Sequence, residues 1–440
     1  MRYGLRRGWV LRVALILGIA GAGIVASPPA HAQSEVPDTS VQAAAVMLTG
    51  IINVSRSPGD SRQPYMAIDD AGTLHIVWSD SFRIVYVRSF DRGRTFTRQI
   101  RLSGAGGAAL RPRVAVRGSA VYVIWTQDIS FHNKEIMFVR SSNRGQSFTS
   151  PRNISNTPGD SQEGRIAVSP NGTIFVVWDE ASPHRNIALI RSFNGGISFE
   201  RPRALFGVAM SGCPPDSPTG ACTPYPGVAV DPRNGKVYVT WHDRVGAARD
   251  FQVLFSRSLD NGAHFFPVLN ISNAPVHAHC ASVAVGRDGR ILVAYEVRKD
   301  RVDHKHDSFF AQSVNGGASF TRPINLAKGP SWAFSDYPYP AQGPDGTIIV
   351  GWEDNTAGGG LDAVIAVSTN GGASFSHSQN ISNNPGSTST EAITLFAKDG
   401  SFYVIWEDYA NGNGEVFLRR GVVPRRPSEG AGEAEADSGD

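Results

Sequence analysis

Charged and aromatic residues recur at two equivalent positions in apolar runs that share a recurrent alanine. The first position holds Gln63, Arg111, Glu163, Tyr225, Cys280, Tyr337 and Glu391. The second position, two residues further on, holds Tyr65, Arg113, Arg165, Gly227, Ser282, Tyr339 and Ile393. Guanidinium groups bind a carboxylate through two parallel hydrogen bonds, and planar aromatic rings can stack on a sugar. This combination is what recognition of an anionic sugar requires.

The candidate ligand-binding residues are arginines from the first three runs, with tyrosines and an acid from these and later runs. They are Arg62, Arg111, Arg113, Glu163, Arg165, Tyr225 and Tyr339. The alternative interpretation is that these side chains are solvated polar residues around a channel. Convergence of three arginine side chains within reach of one carboxylate would favour a binding site.

Acidic residues recur at two further positions and could hold Ca²⁺ through oxygen ligands. One set follows the aromatic-ended runs: Asp80, Asp128, Asp179, Asp243, Glu296, Asp354 and Asp408. The other set opens the next run: Glu135, Asp250, Asp307, Asp362 and Glu415. We favour the alternative, in which these carboxylates stabilise loops through local hydrogen bonds.

Histidines are concentrated in one part of the chain and could bind Zn²⁺ or copper if their loops converge. They are His242, His277, His279, His304 and His306, with Cys280 beside them. Their spacing matches no fixed metal-binding signature, so we favour exposed loop histidines. We therefore predict no cofactor, and Ca²⁺ or a transition metal is the alternative.

A repeated octapeptide indicates which structural elements position these residues. Its six copies share Ser, then Asp or Asn, then Gly, and a final Phe, and they begin 51 to 66 residues apart. They are Ser89–Phe96, Ser141–Phe148, Ser192–Phe199, Ser258–Phe265, Ser313–Phe320 and Ser368–Phe375. A short polar side chain that bonds nearby backbone N–H groups, with a Gly at positive φ, describes a tight turn. The period predicts stacked units such as propeller blades.

Each unit between these turns offers four short apolar runs, so we expect four strands per unit. The second run ends in an aromatic residue seven times, at Trp78, Trp125, Trp178, Trp241, Tyr295, Trp352 and Trp406. The last unit lacks a fourth strand, whereas a spare strand lies at Ile51–Ser55. Pairing of this spare strand with the last unit would close a ring of blades without an exposed sheet edge. We therefore predict an all-β fold, a seven-bladed β-propeller of four-stranded blades over residues 50–421, closed by the N-terminal strand.

The pattern Ser-x-Asp/Asn-x-Gly-x-Ser/Thr-Phe on four-stranded units resembles the Asp-box, or bacterial neuraminidase repeat, of the sialidase superfamily. The resemblance covers about residues 50 to 420 and implies a β-propeller in which the boxes are structural and lie away from the active site. Sialidases have six blades, so six is the alternative to the seven counted here.

In sialidases a tyrosine activated by a glutamate attacks the anomeric carbon. Ser61-Arg62-Gln63-Pro64 is similar to the Arg-Ile-Pro motif of that superfamily, which carries Arg62 over as a binding residue. Our strand alignment adds Tyr337 and Glu391 as candidate catalytic residues. We expect a monomeric module that binds a glycan or a surface protein through its mouth, and the alternative is a glycoside hydrolase such as an exo-α-sialidase.

Residues 1–32 have the pattern of a bacterial signal peptide. A basic leader precedes the apolar run Val13–Val25, and Ala30-His31-Ala32 is a cleavage site after Ala32. That run is too short to cross a membrane. We expect a periplasmic or secreted protein with a linker at 33–49 and a disordered acidic tail at 422–440.

Removal of the leader would change the charge balance, and export would make a disulfide plausible. The net charge is +3, but without the four arginines of the leader the chain carries 38 basic and 39 acidic residues. This balance argues against a nucleic-acid-binding surface. In an oxidising compartment a disulfide between Cys213 and Cys222 is the local choice, although pairing with Cys280 stays open.

Overall fold

The computed structural model describes residues 46–424 except 131–132, 182–183, 210–222, 247–249, 300–304, 331, 357–359, 384–390 and 410–411. All regular secondary structure in these residues is β-strand. Within these ranges there is consequently no helix with the length and hydropathy needed to cross a membrane.

The strands fall into seven antiparallel sheets in chain order. The two strands that precede the first complete sheet are Met47–Leu48 (β1) and Ile52–Asn53 (β2). Blade 1 comprises Ser61–Ile68 (β3), Leu74–Asp80 (β4), Arg83–Ser89 (β5) and Ile100–Arg101 (β6). Blade 2 comprises Ala109–Arg117 (β7), Ala120–Ser130 (β8), Asn133–Ser141 (β9) and Arg152–Asn153 (β10). Blade 3 comprises Ser161–Val168 (β11), Ile174–Glu180 (β12), Asn186–Ser192 (β13) and Arg203–Gly207 (β14).

The remaining blades follow the same order. Blade 4 comprises Gly227–Val230 (β15), Val237–Val245 (β16), Asp250–Ser258 (β17) and Leu269–Asn270 (β18). Blade 5 comprises Ala278–Val285 (β19), Ile291–Arg298 (β20), His306–Ser313 (β21) and Ile324–Asn325 (β22). Blade 6 comprises Ser335–Gln342 (β23), Ile348–Asp354 (β24), Asp362–Ser368 (β25) and Gln379–Asn380 (β26). Blade 7 comprises Ile393–Phe396 (β27), Ser401–Asp408 (β28) and Glu415–Val422 (β29).

The first strands of the blades contact one another in cyclic order, and β27 of the last blade contacts β3 of the first. The N-terminal strand β2 pairs with β29, with Ile52 opposite Leu418 and Asn53 opposite Phe417. Strand β1 also pairs with β29. The predicted seven-bladed propeller and its closure by the N-terminal strand are therefore confirmed.

The hydrophobic core lies between the blades. Seven clusters of buried residues each join two neighbouring blades, and one of them packs Leu74 and Ile76 of blade 1 against Ile405 and Leu418 of blade 7. Both faces of a blade are covered, so the middle strands are buried along nearly their whole length. This burial fixes the first strands around a central channel.

Each repeated octapeptide forms a tight turn between the third and fourth strands of its blade. In the first copy Ser89 Oγ donates to Asp91 Oδ1 at 2.8 Å and accepts from Gly93 N–H at 2.9 Å. Asp91 also accepts from the backbone N–H and the hydroxyl of Thr95. In the fourth copy His264 replaces this hydroxyl residue, and its Nδ1 makes the equivalent contact at 2.6 Å. The turns are held by their own side chains.

The recurrent acids bond to neighbouring loops and strands. Asp80 Oδ1 accepts from Ser61 Oγ at 3.3 Å, and Asp354 Oδ2 accepts from Ser335 Oγ at 2.7 Å. In the other set, Asp362 Oδ1 accepts from the Ser382 hydroxyl at 2.7 Å. These bonds tie the loops of the mouth face to the blades, which is the role favoured for these acids above.

Candidate functional site

A bulge recurs where the first strands begin, at the mouth of the channel. In β3, β7, β11, β19 and β23 the pairing register shifts around the first of the two recurrent positions. The residues at this position with positive φ are Gln63, Arg111, Glu163, Tyr225, Cys280 and Tyr337, at 40 to 56°. This left-handed conformation costs a non-glycine residue about 1 kcal/mol or more. Bulges change the direction of side chains, and strained residues are often found at functional sites. We call these six residues the mouth ring and take it as the candidate site.

Side chains from blades 2, 3 and 6 meet at Glu391. Arg113 Nη2 of blade 2 donates to Glu391 Oε2 at 2.9 Å and to Oε1 at 3.1 Å. The Tyr339 hydroxyl of blade 6 donates to Oε2 at 2.9 Å, and Arg165 Nη2 of blade 3 lies 3.9 Å from Oε1. The Arg113 guanidinium also lies over the Tyr65 ring, 4.7 Å from its centroid. We call these five residues the Glu391 network.

The charges of this network fix its protonation. Burial alone would raise the pKa of Glu391, but the charges of Arg113 and Arg165 and the Tyr339 hydrogen bond hold it below its ordinary value of 4.5. Burial and the nearby Glu391 charge raise the pKa of Tyr339 well above its ordinary value. Glu391 is therefore ionised at neutral pH, and Tyr339 stays a hydrogen-bond donor.

A second carboxylate lies beside the network. Glu163 is buried and contacts the Arg111 guanidinium, and its Oε2 lies 3.6 Å from Arg165 Nη1. The Arg111 side chain remains 33% exposed, and that of Arg165 13% exposed. Three arginines thus share the two carboxylates of Glu163 and Glu391, and two of the three reach the solvent of the mouth.

Arg62 is not brought into this group. Its Nη2 lies 2.6 Å from Asp60 Oδ2, its guanidinium lies over the Tyr409 ring, and about half of the side chain is exposed. Tyr337 contacts Tyr225 and Glu296. Its ring is 6.4 Å from that of Tyr225, and its backbone N–H donates to Glu296. The tyrosine that contacts Glu391 is Tyr339, which sequence analysis assigned to ligand binding.

Imidazole, thiol and carboxylate groups form a second cluster in blades 5 and 6. His279 Nδ1 lies 2.9 Å from Glu296 Oε2 and 3.4 Å from Cys280 Sγ. His306 Nδ1 lies 2.9 Å from Asp336 Oδ1, and the two histidine rings are 4.7 Å apart. Burial and the charge of Asp336 raise the pKa of Glu296 to about 8. These five residues, which we call the histidine cluster, could hold a metal ion.

The expectation of exposed loop histidines was wrong for His242, His279 and His306, which are buried and lie in strands. His242 packs against His279 with ring centroids 5.8 Å apart, whereas His277 lies near Asp250. His304 and the cysteine pair Cys213 and Cys222 lie outside the described residues. Cys280 is a buried free cysteine, and burial raises the pKa of its thiol.

One group of functional contacts was missed by sequence analysis. The residue directly after the aromatic of the second strand accepts a hydrogen bond from the mouth-ring backbone N–H of the next blade. These bonds join Gln63 N–H to Glu407 at 2.7 Å, Tyr337 N–H to Glu296 at 2.7 Å and Cys280 N–H to His242 Nδ1 at 3.3 Å. They hold the strained ring residues, and the only signal in the sequence was a polar residue at this buried position.

No protein-family model matches the sequence, and no curated protein matches it. Solved structures do share its fold. An ulvan lyase, described as a new family of polysaccharide lyase, has a TM-score of 0.59 and 11% identity over 85% of this chain and 94% of the lyase chain.

Two further structures cover 85% of this chain. A virginiamycin B lyase from Staphylococcus aureus is covered to 99%, with a TM-score of 0.52 and 11% identity. An α-L-arabinofuranosidase from Fusarium graminearum is covered to 97%, with a TM-score of 0.50 and 13% identity. At such identities the similarity shows the fold alone. The chain is a seven-bladed β-propeller whose fold is similar to those of these two lyases and this glycosidase.

Proposed function

We propose that this propeller binds an acidic glycan at its mouth. The observation that carries the proposal is that three arginines share two carboxylates there, with Arg111 and Arg165 partly exposed. The three arginines, counted against Glu163 and Glu391, therefore leave an excess of positive charge in this group of described residues. A carboxylate or sulfate of a glycan would supply the missing negative charge through charge-assisted hydrogen bonds.

The tyrosines suit the sugar that carries this anion. Tyr65, Tyr337 and Tyr339 are half-buried, so each presents part of a ring or hydroxyl to the mouth. Glu391 and Glu163 hold the arginines in place before a ligand arrives, which lowers the ordering cost of binding. An ulvan lyase of the same architecture is bound to a glucuronate–rhamnose sulfate unit, which supports an acidic glycan by analogy.

Export places such a module among extracellular polysaccharides. The leader at 1–32 supports a signal peptide that is cleaved after Ala32. We infer that the mature chain acts in the periplasm or outside the cell, as a monomer. A surface protein that presents acidic side chains is the alternative ligand.

Binding of uronate-, sialate- and sulfate-bearing oligosaccharides to the purified protein tests the proposal. Arg111→Gln and Arg165→Gln should each weaken binding about tenfold or more, because a charge-assisted hydrogen bond to a ligand is lost. Arg62→Gln is the matched control and should leave the affinity unchanged. Equal losses in all three variants, or no binding of any acidic glycan, would overturn the proposal.

A glycoside hydrolase of the sialidase type is the second candidate. The hydrogen bond from the Tyr339 hydroxyl to Glu391 favours it, because a carboxylate next to a tyrosine can act as its base. The lowered pKa of Glu391 makes this carboxylate a weak base, which is why binding is preferred. Turnover of a fluorogenic sialoside that disappears in Tyr339→Phe would establish the hydrolase instead.

A further inference from the structure

The histidine cluster combines ligand types that favour a transition metal. His279, Cys280 and Glu296 each offer one ligand atom, and these atoms all lie within 4.8 Å of one another. All three residues are buried. Thiolate and imidazole ligands select ions such as Zn²⁺ over Ca²⁺ and Mg²⁺, which prefer oxygen. The set is therefore suited to a borderline-soft divalent ion.

The distances in the cluster are close to those of ligands around one ion. With Zn–S near 2.3 Å and Zn–N near 2.0 Å, two ligand atoms of a tetrahedral site lie roughly 3.3 to 3.6 Å apart. His279 Nδ1 and Cys280 Sγ are 3.4 Å apart, and Nδ1 and Glu296 Oε2 are 2.9 Å apart. The third distance, between Cys280 Sγ and the Glu296 carboxylate, is no more than 4.8 Å, so the three groups are close enough to surround one ion.

His306 offers a fourth ligand, because one of its ring nitrogens lies within 4.8 Å of a Glu296 carboxylate oxygen. Its Nδ1 is bonded to Asp336 Oδ1 at 2.9 Å, which leaves Nε2 available. Metal-binding histidines usually have their second nitrogen held by a carboxylate in this way. The Nε2 atom of His306 is buried and has no hydrogen-bond partner within the described part of the chain. Buried polar atoms without partners are rare in folded proteins and require an explanation.

A divalent ion would also suit the carboxylates of the cluster. Among the described residues, histidines are the only cationic side chains within ion-pair distance of Glu296 and Asp336. Buried carboxylates are normally paired with a full charge or coordinate a metal. A divalent ion would neutralise the Cys280 thiolate and Glu296 together.

We propose that His279, Cys280 and Glu296 bind a Zn²⁺-type ion, with His306 as the fourth ligand and Asp336 as its positioning residue. Cys280 belongs to the mouth ring, so the ion would lie in the wall of the mouth. The site does not depend on glycan binding, since none of its ligands belongs to the Glu391 network.

Loading the full chain with Co²⁺ tests the site directly. The wild-type protein should bind one Co²⁺ per chain and show the absorption band of a thiolate-to-cobalt charge transfer. Cys280→Ser should lose this band, and Glu296→Gln should lose the ion while keeping an oxygen acceptor for Tyr337 N–H. Asp336→Asn should keep the band and bind the ion about tenfold more weakly. His264→Ser, at an exposed box turn, is the control and should behave as the wild type.

Elemental analysis and thermal unfolding complete the test. Zn²⁺ should be retained at one ion per chain after dialysis and should raise the melting temperature of the wild-type protein. Absence of the charge-transfer band from wild-type protein would overturn the proposal, even if a variant failed to fold. Metal retention by Glu296→Gln equal to that of the wild type would overturn it as well.

Discussion

At the scale of single residues, Glu391 links three blades of the mouth. Its carboxylate accepts hydrogen bonds from Arg113 and Tyr339 and lies within ion-pair distance of Arg165. The Arg113 side chain is only 2% exposed, so its charge depends on this partner. Removing one member of a buried ion pair is more costly than the pair is worth, because the other charge stays buried.

Glu391→Gln should therefore lower the free energy of unfolding by about 2 to 4 kcal/mol, as measured by urea denaturation. The control is Asp70→Asn, which breaks an exposed ion pair with Lys398 and should leave the midpoint unchanged. If the urea midpoint of Glu391→Gln equalled that of the wild type, the stability of the protein would not depend on the ion pair between Arg113 and Glu391.

The same pair predicts a pH dependence. The pKa of Glu391 is lower in the folded protein than its ordinary value of 4.5, so its stabilisation is complete above that value and is lost as the pH falls through the folded pKa. The difference in unfolding midpoint between the wild type and Glu391→Gln should be constant above about pH 5.5 and should shrink below about pH 4. A difference that grows on acidification would contradict the assignment.

Strand alignment predicted which residues would surround the mouth but not how they pair. The recurrent positions of Arg111, Arg113, Arg165 and Glu391 follow from the period of the strands. The ion pairs of Glu391 join blades far apart in sequence, and all of these pairs depend on side-chain rotamers, which no local pattern encodes. The left-handed conformation of Arg111 was also unpredictable, since positive φ is usually associated with glycine.

At the scale of elements, two adjacent glycines of an octapeptide turn are required for different reasons. Both Gly195 and Gly196 have positive φ, at 65 and 80°. A Cβ on Gly195 would lie 3.4 Å from the Tyr122 hydroxyl, whereas one on Gly196 would lie 2.5 Å from Phe138 Cζ in the core. The fifth residue of the box must be glycine for space as well as for conformation. Sequence analysis predicted the conformation, but the clash depends on the neighbouring blade.

Gly195→Ala should therefore cost about 1 kcal/mol of unfolding free energy, which is the strain of the left-handed conformation. Gly196→Ala should cost about 2 to 4 kcal/mol, because overpacking against the buried Phe138 ring is added to that strain. Urea denaturation of the two variants provides an internal control, since both lie in one turn. Equal losses would show that conformation alone requires the glycine.

At the scale of the whole molecule, the ring is closed by a few residues of the N-terminal strand. Val54 is buried in the cluster that joins blades 1 and 7, and its N–H donates to Val416 O at 2.7 Å. Asn53 Nδ2 donates to Glu415 Oε1 at 2.8 Å, and Ser55 Oγ accepts from Val416 N–H at 3.0 Å. This closure was predictable because the last unit lacked its fourth strand while the first segment supplied one.

Deleting residues 1–56 should lower the melting temperature by roughly 5 °C or more and promote aggregation, because β29 would become an exposed edge. Deleting residues 1–45 is the control and should leave melting unchanged. Differential scanning calorimetry with light scattering measures both effects. Identical melting of the two deletions would mean that the ring does not need this strand.

The blade count and closure followed from sequence because they depend on periodic local patterns. The ligand could not be predicted from the sequence, because the mouth joins residues from blades that are distant in the chain. Related folds also have different activities. The arginines of blades 2 and 3 were candidate binding residues from sequence alone, and the structure adds that they share the carboxylates of Glu163 and Glu391.

The most direct test of the mouth as an acidic-glycan site compares one oligosaccharide with its carboxyl-reduced form by isothermal titration calorimetry. The proposal predicts binding of the acidic form that weakens with salt and is reduced about tenfold or more in Arg165→Gln, and little binding of the neutral form. Equal affinity for both forms, unaffected by Arg165→Gln, would contradict it.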